Sequence, residues 1–147
     1  MAQDPFLKAA IEQARQSLAE GGIPIGAVLV HEGEVIGRGH NCRVQTGSSI
    51  DHGEMNCLRN AGRLPASVYQ KCTMYSTLSP CPMCSGAIVL YKIPRVVVGE
   101  NRNFVGAEDY MRSTGIDVEV LQDDECIDMM AQFIKDNPNL WNEDIGV

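Results

Sequence analysis

The chain has 147 residues, 44% hydrophobic and 21% charged, a balance that suits one soluble globular domain able to bury roughly two-thirds of its unfolded surface. Twelve basic residues stand against 19 acidic ones, for a net charge of −7 with no Lys/Arg cluster, which argues against RNA or DNA as partner because such binding leans on neutralising phosphates. No apolar run approaches the ~18 residues of a membrane span. Met1-Ala2-Gln3-Asp4-Pro5 has neither a basic nor an apolar stretch of the kind that directs secretion, so a cytoplasmic protein without membrane partners is expected.

Read in chain order, Asp4 can cap a helix with Pro5 at its first position. Phe6, Leu7, Ala10, Ile11, Ala14 and Leu18 recur at helical spacing until Gly21-Gly22 stops it. Ile25 to Val30 and Val35 to Gly39 predict two strands joined by a tight hairpin at Glu32-Gly33. Residues 51–61 carry the next helix, ended by Gly62, and a strand follows from Cys72 to Leu78. Ser79-Pro80 reads as the cap and first residue of a helix from Cys81 to Tyr91, terminated by Ile93-Pro94.

Arg95 to Gly99 is a β-branched run, Glu108 to Ser113 a short helix, Val118 to Leu121 a strand, and Asp123 caps a helix to Lys135. The interleaving of five strands with five helices predicts an α/β fold, a three-layer α/β/α domain around a five-stranded mixed sheet. The connection from Gly99 to Asp117 is long enough for a helical crossover, so the last two strands can be parallel.

The chemistry concentrates in His52-Gly53-Glu54 and Pro80-Cys81-Pro82-Met83-Cys84. One imidazole and two thiolates suit Zn²⁺ held tetrahedrally with a fourth position for water. Each motif opens a predicted helix, and helix N-termini favour thiolate over thiol. Cys81 and Cys84, three apart, share a helical face. A redox dithiol has the same spacing, and a structural zinc ribbon would need a second such pair, which the chain lacks. Zinc can lower the pKa of its water toward ~7. Glu54, two residues past the histidine, is then the candidate proton shuttle for that water; His-x-Glu followed by Pro-Cys-x-x-Cys resembles the pattern of zinc-dependent nucleobase deaminases, which implies a hydrolytic deamination. The remaining cysteines, Cys42, Cys57, Cys72 and Cys126, are expected as buried free thiols in a reducing compartment. His31, closing a strand before the hairpin turn, is expected to be solvated, and His40 is a candidate for contact with the metal ligands.

These motifs, with Gly21-Gly22-Ile23-Pro24-Ile25-Gly26, Gly37-Arg38-Gly39-His40-Asn41, Thr77-Leu78-Ser79, Val98-Gly99-Glu100-Asn101, Asn103-Phe104 and Trp141-Asn142-Glu143-Asp144-Ile145-Gly146, resemble the fungal-type cytosine deaminases of the cytidine deaminase-like superfamily. The resemblance runs over nearly the whole chain and implies one domain over 1–147, one zinc per subunit, a homodimer and a free-base substrate. It further implies that Asn41 and the Gly53 N–H hold the base carbonyl, that the Ser79 carbonyl meets the amine, and that Phe104, Trp141 and Ile25 wall the ring. Asp144 would accept from a base N–H, since a carboxylate only accepts hydrogen bonds and free cytosine carries an N1–H that cytidine lacks. Residues 138–147 would form a lid over the pocket.

The chain departs from that family in a shorter hairpin at Glu32-Gly33, a shorter segment between Phe104 and Tyr110, and in Val44 and Asn142, where the family has aromatic residues. These changes are expected to ring the pocket and to bear on substrate choice. Creatinine is then the main competing substrate and guanine a more remote one. A tRNA adenosine deaminase would share the zinc motif but needs a basic surface and an open pocket.

Overall fold

The computed structural model describes residues 3–147. Its elements are α1 (Pro5–Ala19), β1 (Gly26–His31), β2 (Glu34–His40), α2 (Arg43–Thr46), α3 (Gly53–Ala61), α4 (Ala66–Tyr69), β3 (Cys72–Ser76), α5 (Pro82–Leu90), β4 (Arg95–Val98), α6 (Glu108–Ser113), β5 (Asp117–Val120), α7 (Asp124–Asp136) and α8 (Pro138–Asp144). The strands form one sheet in the order β2-β1-β3-β4-β5. β1 runs antiparallel to β2 and β3, while β3, β4 and β5 are mutually parallel, the mixed sheet expected. None of the described helices is long and apolar enough to cross a membrane.

Local chemistry accounts for the elements. The Asp4 carboxylate accepts from the N–H groups of Phe6 and Leu7, satisfying two donors that open α1. Glu32 and Gly33 both take positive φ, 50° and 81°, the backbone that a two-residue hairpin matching the strand twist demands. Period-two alternation then divides the sheet residues between its faces. Val28, Val30, Tyr75 and Val97 pack with Leu7, Ala10 and Ile11 of α1 and Cys126 of α7. Ala27, Leu29, Met74, Val96 and Val98 pack on the other face with Cys57 of α3, Ile88 of α5 and Met111 of α6. Met74 is fully buried, a placement that stabilises by roughly 1.5–3 kcal/mol relative to exposure.

A third apolar cluster, Ile23, Ile25, Leu78, Met130, Phe133 and Trp141, lies beneath α7 and α8. It joins the ends of β1 and β3 to the C-terminal helices and forms the floor from which the site is built.

Two expectations need correction. The helix after β3 begins at Pro82, not Pro80: Cys81 is its cap and Pro82 its first residue, so Ser79-Pro80 belong to the loop before it. The structure also has eight helices among the described residues, because the single turns α2 and α4 and the C-terminal α8 add to the five expected. Short turns lack the repeated apolar spacing that announces a helix.

Candidate active site and metal centre

α3 and α5 open toward a common point. Their caps, His52 and Cys81, have extended backbones (φ −66°, ψ 162° and φ −66°, ψ 170°), which turns each side chain back over the first helical turn. Cys81 Sγ accepts from the Cys84 N–H at 3.5 Å and lies 3.5 Å from His52 Nδ1. The donor atoms of His52, Cys81 and Cys84 all lie within 4.8 Å of one another.

The electrostatics fit a cation there. The hydrogen bond from the Cys84 thiol, with His52 and the Cys84 N–H behind it, outweighs burial and holds the Cys81 thiol down at about 4. Cys84 is pushed well up, because its proton serves Cys81 and because it is buried. Two sulfurs and an imidazole within 4.8 Å of one another form a donor set whose protons a metal ion would replace. Burial works to lower His52, but the Cys81 hydrogen bond and the Asp144 carboxylate raise it overall. With Nδ1 facing the sulfurs, His52 Nε2 lies 3.6 Å from Asp144 Oδ1, the outward partner that orients a ligating imidazole. One imidazole and two sulfurs around an open side match a zinc ion with a free fourth position.

Glu54, the second residue of α3, is 4% exposed. Burial, with the Cys81 thiolate adding and His52 opposing, pushes its carboxyl up to about 7. The charge of a bound cation would act in the opposite direction.

A small cavity adjoins this cluster, lined by Ile25, Glu54, Leu78, Ser79, Phe104, Trp141 and Asp144 together with His52 and Cys81. Phe104 and Trp141 meet edge to face, ring centroids 5.7 Å apart at 85°. Gly53 lies against Ile25: a side chain there would press on the Ile25 carbonyl at 3.0 Å and its Cγ2 at 3.3 Å. Asn41, fully buried, reaches the cavity through Asp144, to whose Oδ1 its Nδ2 donates at 2.8 Å. The Arg43 N–H donates to Asn41 Oδ1 at 3.1 Å, which fixes the orientation of that amide. Burial pushes the Asp144 carboxyl up, with His52, Asn41 and Arg43 opposing. Of the residues that the sequence and the resemblance proposed for the site, Ile25, His52, Glu54, Ser79, Cys81, Phe104, Trp141 and Asp144 line this cavity, and Asn41, Gly53 and Cys84 stand behind them, bonded to Asp144, packed on Ile25 and bonded to Cys81 respectively.

Other expectations divide. Cys42, Cys57, Cys72 and Cys126 are buried free thiols. His31, the last residue of β1, is partly exposed. His40 does not touch the metal cluster; its ring faces Gln13 Oε1 at 3.1 Å and Glu20 Oε1 at 2.9 Å. Val44 and Asn142 are solvent-exposed and do not line the cavity, and the hairpin residues Glu32 and Gly33 are exposed as well, so these three departures do not ring the pocket, whereas the shorter segment after Phe104 starts at its wall.

Two carboxylates escaped the sequence reading. Glu108, 4% exposed, accepts from Ser79 Oγ at 2.6 Å, and Ser79 Oγ in turn accepts from the Gly106 N–H at 2.9 Å. Gly106 packs so closely on the Pro80 carbonyl that no Cβ fits. Glu100, fully buried, accepts from the N–H groups of Arg102 and Asn103 at 2.8 and 3.0 Å and from Asn103 Nδ2 at 2.8 Å, fixing the turn that presents Phe104. An acid inside an otherwise apolar or turn-forming segment was the only available signal.

Three metal-ligating side chains and a buried acid, set where two helices begin, define a metal-dependent hydrolytic centre. The chain belongs to the cytidine and deoxycytidylate deaminase family, whose zinc-binding region matches residues 2–100. It is 55% identical over 141 residues to the cytosine deaminase of Candida albicans, covering 95% of this chain and 94% of that protein. A tRNA-specific adenosine deaminase of Streptococcus pyogenes is 42% identical over 108 residues, 72% of this chain and 68% of that one. Among solved structures, one from work on tRNA:A34 deaminases superposes with a TM-score of 0.72 at 29% identity, covering 86% of this chain and 99% of that chain.

Proposed function

We propose that this chain is a zinc-dependent cytosine deaminase, converting free cytosine and water to uracil and ammonia. The observation that carries the reading is the Asn41–Asp144 pair, held over the His52, Cys81 and Cys84 cluster and covered by the last helix. The 55% identity to a cytosine deaminase over nearly the full length of both chains supports the same substrate.

Zinc held by His52, Cys81 and Cys84 would supply an acidified water close to the amine-bearing carbon. Glu54 moves protons. Buried beside the metal ligands, it can carry the two protons of water in turn, the first to the ring nitrogen and the second to the leaving amine. The water oxygen adds to the ring carbon as the ring nitrogen takes the first proton; the carbon–amine bond then breaks as the carbonyl forms, and the amine leaves with the second proton as ammonia. Asn41 has one amide hydrogen left after Asp144, which suits the base carbonyl, with the Gly53 N–H beside it. Asp144 accepts from a base N–H, the Ser79 carbonyl faces the amine, and Ile25, Phe104 and Trp141 enclose the ring.

Residues 138–147 act as a lid in this reading. Trp141 and Asp144 both come from α8, and with α8 seated the cavity they line is small. Exchange of base and product then requires α8 to lift. A homodimer belongs to the same reading. Ile50 and Tyr91 lie at 55% and 44% exposure beside a groove with Leu58 and Leu64, apolar surface that a second copy would cover. Cytoplasmic location is expected with it.

Ammonia release by zinc-loaded protein from cytosine, cytidine, creatinine, guanine and a tRNA anticodon stem-loop tests the substrate, with Glu54→Gln as control. Turnover of cytosine but not cytidine, lost in the variant, is expected. Preference for creatinine or guanine would overturn the substrate, and turnover of the stem-loop alone would favour the activity named for the tRNA-specific relatives.

A further inference from the structure

Asn41 is held from behind by a polar chain that begins at the far end of α1. Its backbone carbonyl is buried and accepts from the Ser17 hydroxyl at 2.6 Å; Ser17 and Asn41 are both fully buried. Ser17 Oγ accepts from Gln45 Nε2 at 3.1 Å. The same Gln45 nitrogen donates to Glu20 Oε1 at 3.2 Å, and that oxygen also meets His40 Nε2 at 2.9 Å. Gln13 Oε1 faces the other His40 nitrogen at 3.1 Å.

The polarity of this chain has one origin. A carboxylate accepts hydrogen bonds only, so Glu20 draws the Gln45 NH₂ group toward itself and toward Ser17. With that lone pair occupied, the Ser17 hydroxyl hydrogen is free to point at the Asn41 carbonyl. Gln45 Oε1 is left as a buried polar atom without a donor, the only such side-chain atom among the described residues. Turning the amide over would set its oxygen against the Glu20 carboxylate, acceptor facing acceptor, and would draw the Ser17 hydroxyl hydrogen away from the Asn41 carbonyl. An amide held with a buried oxygen unsatisfied indicates that its NH₂ side is the one that matters.

We infer that Glu20, Gln45 and Ser17 form a positioning relay that fixes the backbone of Asn41, and through it the Asn41–Asp144 pair that receives the base. None of the three is a metal ligand of the site or one of the residues that line its cavity. Its neighbour Gly22 leaves the room that the Gln45 amide occupies, since a Cβ at 22 would collide with it. The alternative use of this region, a metal bound by Glu20, His40 and Cys42, whose donor atoms lie within 4.8 Å, is disfavoured because the exposed Glu20 oxygen is already shared by His40 and Gln45.

This inference rests on the proposed contact of Asn41 with substrate, and two readouts keep the two ideas separable. The first is steady-state kinetics of Ser17→Ala, Ser17→Thr and Glu20→Gln at full zinc content, on whichever base the parent protein turns over. Ser17→Ala should raise KM about tenfold, the effect of roughly 1.4 kcal/mol, with kcat within about twofold. Ser17→Thr, which keeps the hydroxyl, should restore KM, and Glu20→Gln should fall between because its amide no longer dictates how Gln45 turns. The second readout is the Asn41 side-chain amide ¹⁵N–¹H resonance, which should shift and exchange faster in Ser17→Ala whatever the substrate. Unchanged KM and an unchanged Asn41 resonance in folded, zinc-loaded Ser17→Ala would overturn the relay. A shifted resonance with unchanged KM would leave the relay standing and remove Asn41 from substrate binding.

Discussion

Asn41 and Asp144 stand 103 positions apart in the chain yet share a 2.8 Å hydrogen bond, both side chains withdrawn from solvent. One follows the second strand and the other ends the last helix. The bond therefore joins the first third of the chain to its C-terminal helix beside the metal cluster.

Replacing Asp144 with Asn preserves shape but exchanges an acceptor for a donor on one side. A hydrogen bond to a charged group contributes about 1.5–3 kcal/mol. kcat/KM for cytosine should fall by roughly ten- to a hundredfold, while metal content stays at one ion per chain. Steady-state assay with metal analysis on the same preparation checks both halves; unaltered kinetics would remove Asp144 from substrate binding.

Deleting residues 138–147 should leave zinc bound, because His52, Cys81 and Cys84 lie on α3 and α5, and abolish turnover, because Trp141 and Asp144 are lost. Trp141→Ala offers a milder version. Phe104 loses its edge-to-face partner, and truncation of a buried tryptophan costs about 3–5 kcal/mol of stability. Activity retained in the deleted protein would show that α8 is no lid.

Metal removal should lower stability as well as activity. Zinc bound at the caps of α3 and α5 stabilises the folded state by linkage, so a strong chelator should depress Tm and added zinc restore it. Cys84→Ser should weaken zinc binding without displacing the Cys81 cap. A Tm indifferent to chelator would indicate a centre that holds no structural metal.

Asp123 caps α7, accepting from the Cys126 N–H at 3.0 Å. Burial works to raise its carboxyl, but hydrogen bonds from Gln3 and Cys126 outweigh this and hold it below the usual 3.8. A depressed folded pKa means that its stabilisation is complete above the unfolded value and is lost as pH falls through the folded one. Asp123→Ala should cost about 1 kcal/mol at neutral pH, a capping figure for a partly exposed residue. That difference should shrink below the unfolded value near 3.8, which denaturation of both proteins across an acid series would reveal.

Legibility in the sequence followed the strength of local chemistry. Asp4-Pro5 announces α1 because capping and a preset φ act within a few residues, and Glu108–Ser113 is placed to the residue. Cys81 hid its role as a cap because a sulfur is a weak acceptor beside the more conventional Ser79-Pro80. The metal ligands and Glu54 were legible from spacing. Asn41, Asp144, Phe104 and Trp141 were singled out only through resemblance, since their meeting is made by the fold and by no local pattern. Glu108 and the Ser17–Gln45–Glu20 chain were invisible for the same reason: each joins segments far apart in sequence.

Trp141 and Asp144 sit three residues apart on α8, a seven-residue helix, and so face the same way. A rigid turn delivers its apolar wall and its carboxylate in one movement. If α8 is the proposed lid, a molecule with nothing to offer the carboxylate gives the helix no reason to stay down. Discrimination among bases would therefore appear less in how tightly each rests on the open floor than in how long each holds the site closed, a form of selection expressed in commitment to reaction.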